Sequence, residues 1–162
     1  MDPPPNCKTP RVQPFSPARG FRTHRERDGH AAPVFEDWEI PIHERVSAGL
    51  PDAAPPVSAP QDLHDGDALD FGDGADVLCI PGHTAGSIAI HLPRHGVLFT
   101  GDTIAHVGTV MLGTFNQDRA QTVASFKRLA ALDVDIACFG HGEPVTAGAG
   151  DRIRATAATL IE

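Results

Sequence analysis

Apolar residues fall into short runs from about residue 63 onward, and glycine, aspartate and proline set the length of each run. ALDF and ADVLCI flank Gly72-Asp73-Gly74, and SIAIHL and GVLFTG meet across Pro93-Arg94-His95-Gly96. Apolar-rich segments separated by such turns predict two antiparallel hairpins. The period then changes. In residues 118–132, DRAQTVASFKRLAAL, the residues Val123, Phe126 and Ala130 share one helical face, with Asn116 or Asp118 available as N-cap. DIACFG reads as a short buried strand, and residues 149–161 as a last helix. Strands followed by helix, strand and helix predict one sheet with helices packed on one face, an α/β or α+β layer.

The chain ahead of residue 63 has a different character. Residues 1–33 are rich in proline and arginine without periodicity and are expected to form a disordered arm. Residues 34–62 hold VFEDWEIPIHERV and GLPDAAPPVSAP, whose prolines rule out a long helix and predict an extended connector. A single domain over residues 63–162 follows. The start, MDPPPNCKTPRVQPFSPARG, lacks the apolar stretch of a secretory signal, and no apolar run is long enough to span a bilayer.

Charge narrows the partners. The net charge is −8, and it is uneven: residues 1–27 carry six Lys/Arg against two Asp/Glu, leaving the remainder with seven against nineteen. An acidic body argues against nucleic acid and leaves a small-molecule substrate as the expected partner. Three cysteines are too few for a disulfide framework. Cys79 and Cys138 lie in apolar runs that suit small buried side chains, so a reducing cytoplasm is the expected location.

Three polar clusters follow apolar strands: Pro81-Gly82-His83-Thr84-Ala85-Gly86-Ser87, Gly101-Asp102-Thr103, and Gly140-His141-Gly142-Glu143-Pro144. Loops anchored by buried strands are rigid yet accessible, and two histidines with one carboxylate are donors that zinc, iron or manganese accepts. Single residues here also have ordinary readings, since a histidine in a glycine-rich turn is most often structural. Ser87 lacks the second flanking glycine of a nucleophile elbow. Cys138 sits inside an apolar strand, where a thiolate is costly.

Taken together, PGHTAGS, LFTGDT and CFGHGEP in this order resemble the C-terminal half of the metallo-β-lactamase-fold hydrolases, over residues 62 to about 160. The resemblance implies an αββα sandwich, with only its C-terminal half complete in this chain. It implies up to two metal ions, zinc first and iron or manganese as alternatives. His83 would be a ligand of one, His141 of the other, and Asp102 the carboxylate between them, placing it at the centre of catalysis. Aspartate at 102, where class B lactamases carry cysteine, favours a glyoxalase-like branch. Thr84, Ser87 and Thr103, the last above all, are expected to orient these ligands.

The family's other ligands come from a His-x-His-x-Asp-His motif, against which THRERDGH (residues 23–30) can be laid. His24 and Asp28 match; Glu26 and Gly29 stand where histidines belong. Prolines on both sides deny it the strand and helix that support such a motif, so it is expected to lie outside the site. Two readings follow. One is a metal-dependent hydrolase of an ester, thioester, lactone or phosphoester. The other is an inactive half-domain that binds a partner chain or its own copy over an exposed sheet face.

Overall fold

Part of the expected connector is helical. A computed structural model describes residues 35–48 and 62–161, and within them α1 (Ile40–Ser47) is a helix of 8 residues. Pro41 sits in its first turn, where the missing N–H has no intrahelical partner to lose, so the proline that argued against a helix starts one. None of its residues is buried. It is docked through rings: Phe35 and His43 each lie against Phe115, with centroids 5.7 and 5.3 Å apart. The arm at 1–33, and THRERDGH with it, lies outside the described residues.

Both hairpins form as the turns predict. β1 (Ala68–Leu69) pairs antiparallel with β2 (Ala75–Cys79), and β3 (Ile88–Leu92) with β4 (Val97–Phe99). The first turn bends through Gly72, Asp73 and Gly74, all at positive φ, which glycine and aspartate tolerate. A third hairpin was not anticipated: β5 (Ile104–His106) and β6 (Val110–Leu112) pair antiparallel around Val107-Gly108-Thr109. Strands of three residues are too short to show a period.

Helix α2 (Arg119–Ala130) begins at Asp118, whose carboxylate accepts from the Gln121 N–H at 2.9 Å and so settles which of the two candidates is the cap. β7 (Ile136–Cys138) then joins the sheet parallel to β4, giving the order β1-β2-β3-β4-β7, and α3 (Ala149–Ala157) follows. The register aligns Leu78 with Ala89, and Leu98 with both His91 and Ala137. These residues share one face. Ala89, Leu98 and Ala137 pack there with Phe126, Leu129 and Ala130 of α2 and Ile153 of α3. The three residues predicted for the buried face of α2 are all buried.

The opposite face is apolar too, with Ala75, Val77 and Cys79 buried, Ile88, Ile90, Val97 and Ile136 half-buried, and Phe99 exposed. Cys138 is a free thiol, whereas Cys79, expected to be reduced, is disulfide-bonded. A sulfur buried in an apolar strand is compatible with either state, so burial did not decide it. Among the described residues no helix is long and apolar enough to cross a membrane.

One ion pair ties α2 to the end of β2. Arg128 reaches Asp65 with both terminal nitrogens, at 2.8 and 3.0 Å, and donates to the Cys79 carbonyl at 2.8 Å. The Arg128 hydrogen bond holds the Asp65 carboxyl below its usual value of 3.8; burial opposes this, and the Cys79 N–H and the arginine's charge add to it. A depressed carboxylate contributes stability above its unfolded-state pKa and loses it as pH falls through the folded value. Asp65→Asn is therefore expected to cost about 1–2 kcal/mol at neutral pH, discounted for the partly exposed arginine. The gap from wild type should close as pH falls through and below the ordinary carboxylate value of 3.8, measured by urea unfolding.

Candidate metal centre

Two antiparallel steps lead from β2 to β4 and one parallel step from β4 to β7, so all three strands run the same way. Their C-terminal ends share one edge of the sheet. His83, Asp102 and His141 each follow one of those ends and meet there.

His83 is the most firmly held. Its loop is fastened to the start of α2: Asp118 N–H donates to the Gly82 carbonyl, Gln117 N–H to the His83 carbonyl, and the Ser125 hydroxyl to the Pro81 carbonyl. The ring is fixed as well, because His83 Nδ1 lies 3.0 Å from the Thr114 carbonyl oxygen. A carbonyl only accepts, so Nδ1 carries the proton and Nε2 of the neutral ring is a bare lone pair.

Asp102 sits in a short 3-10 turn, Gly101–Thr103, entered through Gly101 at φ 52°. Glycines surround it at close range. A Cβ on Gly140 would overlap the Asp102 carboxylate, and one on Gly113 would overlap its backbone carbonyl. The Thr100 hydroxyl, buried beneath the turn, donates within reach of the Gly101, Ile104 and Cys138 carbonyls, joining this loop to β7. The His141 loop is held from β5: His106 N–H donates to the His141 carbonyl at 3.0 Å, and His106 Nδ1 to the Glu143 carbonyl at 2.7 Å. His141 itself is largely exposed, at 73% of its side-chain surface.

The two imidazoles flank one carboxylate. His83 Nε2 lies 3.6 Å from Asp102 Oδ2, and His141 Nε2 lies 3.7 Å from Asp102 Oδ1. These gaps are too wide for hydrogen bonds. At His83 two electron-rich atoms face each other, an arrangement a cation between them would stabilise. Two metal–ligand bonds of about 2.0–2.2 Å, at tetrahedral to trigonal angles, separate their donor atoms by about 3.3–3.8 Å, so the donor set fits a metal. No three His, Cys, Asp or Glu side chains among the described residues close round a single point. The geometry is two donor pairs sharing one carboxylate.

The expected orienting hydroxyls are corrected by the structure. Thr84 and Ser87 bond to each other, with oxygens 2.9 Å apart, and stabilise their own turn. The Thr103 hydroxyl is buried and has no hydrogen-bond partner among the described residues. What orients His83 is the Thr114 backbone carbonyl, which leaves no mark in a sequence. His106 was also missed, although its place in the short run Ile104-Ala105-His106 was a possible signal.

The metallo-beta-lactamase superfamily model matches residues 12–141, and the chain belongs to that family. The match begins well upstream of the resemblance read from the sequence, which started at residue 62, and it includes THRERDGH. Among curated relatives, hydroxyacylglutathione hydrolase of Fuscovulum blasticum is 38% identical over 138 residues, spanning 76% of this chain and 50% of that protein. The chain thus covers about half the length of such relatives. Among solved structures, TTHA1623 in a di-iron-bound form is 30% identical with a TM-score of 0.52, over 75% of this chain and 63% of that one. The family protein TTHA1429 of Thermus thermophilus shares the fold at 24% identity and a TM-score of 0.52, over 83% and 55% of the two chains.

Proposed function

We propose that this chain carries a metal-dependent hydrolytic centre for ester-type bonds, with hydroxyacyl thioesters as the first substrate class. The observation that carries the reading is one carboxylate, Asp102, with an imidazole nitrogen 3.6 Å from one oxygen and another 3.7 Å from the other. His83 Nε2, Asp102 and His141 Nε2 would be the ligands, with Asp102 shared between two ions. The thioester class draws on the relatives named hydroxyacylglutathione hydrolase, and the choice between zinc and iron is informed by the di-iron TTHA1623.

A bound metal supplies a polarised carbonyl oxygen and a water of lowered pKa. The chain's own residues supply the rest. Thr114 holds His83 in the tautomer that offers Nε2, so no reorientation is needed on binding. His106 anchors the backbone at His141 itself and at Glu143 beyond it, while the His141 ring stays exposed and leaves this side of the site open to an entering substrate.

Purified protein loaded with zinc, iron or manganese and then desalted should retain between one and two ions per chain by mass spectrometry. It should hydrolyse a hydroxyacyl-glutathione thioester, and a chelator should remove both properties. A folded chain that retains no metal would defeat this reading and leave the inactive binding module in its place.

A further inference from the structure

The peptide unit joining Thr114 to Phe115 is gripped from both ends. Its carbonyl oxygen accepts from His83 Nδ1 at 3.0 Å, and its N–H donates to Glu39 Oε1 at 2.9 Å. Glu39 lies 76 positions upstream in the segment leading into α1, and is buried to 5% exposure. Its other oxygen accepts from the Glu36 N–H at 2.9 Å. Phe115 needs such a grip, because it is a non-glycine residue at φ 58°, a conformation costing about 1 kcal/mol.

We propose that Glu39 is a positioning residue for His83, acting through this peptide. A carboxylate accepting from the N–H draws electron density toward the carbonyl oxygen, making it a stronger acceptor for the imidazole proton. It also fixes the direction in which that oxygen points. The result is a carboxylate–peptide–imidazole chain that holds the proton on Nδ1 and the lone pair on Nε2. In metal sites a carboxylate commonly performs this task by touching the imidazole itself. Here a peptide stands between them. A Glu39 that served only to close the 36–39 turn would have no influence on the ring of His83.

The proposal rests on the metal reading only for its second measurement. Nitrogen-15 NMR of the metal-free protein, above the pH range of imidazole protonation, reports which ring nitrogen of His83 carries the proton. Wild type is expected to show the Nδ1–H form alone, and Glu39→Ala a mixture with Nε2–H. Zinc affinity, measured by competition with a chromophoric chelator, is expected to fall about tenfold in Glu39→Ala. A folded Glu39→Ala with wild-type tautomer and affinity would overturn the proposal.

If that variant does not fold, Glu39→Gln decides. Its amide has one acceptor oxygen for two N–H donors and no charge, so in either orientation Phe115 loses its charged acceptor. The Phe115 amide proton should move upfield and zinc affinity fall by about two- to threefold. No change in either overturns the proposal. Should wild type bind no zinc, the metal reading fails on its own, and the tautomer of His83 still tests Glu39.

Discussion

Asp102→Ala is expected to abolish stable metal binding while leaving the metal-free chain folded. Among the described residues the two imidazoles meet through this side chain, His83 on one oxygen and His141 on the other. Loss of a shared anionic ligand should weaken zinc by more than about a hundredfold, beyond the range seen for residues that merely support ligands. The metal-free fold should hardly notice. The carboxylate is 40% exposed, and contacts of this kind at a surface contribute no more than about 1 kcal/mol. Calorimetric zinc titration beside thermal unfolding of the chelator-treated protein checks both halves. Equal zinc affinity in variant and wild type would remove Asp102 from the site.

Gly142→Ala should act through the fold. The residue sits at φ 94°, and a Cβ there would overlap the His106 backbone carbonyl, which cannot swing away because β5 is paired. Backbone strain and overpacking together should cost about 2–4 kcal/mol. The His141 loop must shift, and zinc affinity should drop with stability. Gly108→Ala is the control. Gly108 also has positive φ, at 75°, but a Cβ there meets nothing within 4 Å. Strain alone predicts about 1 kcal/mol and unchanged zinc binding. Urea unfolding of the two variants separates close approach from conformation; equal losses would show that the tight packing of Gly142 on β5 is unimportant.

The parts of the candidate site legible in the sequence are those whose chemistry and support are local. His83, Asp102 and His141 each stand in a glycine-marked loop directly after an apolar run, and the direction of β2, β4 and β7 does the rest. The hairpins were legible because their turns need residues that tolerate positive φ. Helix α1 was not, because Pro41 signals a helix start and a helix stop equally well. β5 and β6 are too short for alternation to register. Thr114 contributes a backbone oxygen, which any residue could supply. Glu39 reaches Phe115 across 76 positions with no motif to mark the pair.

The parallel pairing of β4 with β7 also bears on when the site comes into being. A hairpin such as β3–β4 closes over the few residues of its turn, within microseconds. The contact between the Thr100 hydroxyl and the Cys138 carbonyl, at the β4–β7 seam, closes over 38 positions, and that between Glu39 and Phe115 over 76. Ordering entropy must be spent on such non-local contacts before they reward the chain, so they form after the local ones. Asp102 and His141 face each other across this late seam. The turn between β2 and β3 that carries His83 closes locally, but its ring is fixed only when Thr114, 31 positions on, reaches it.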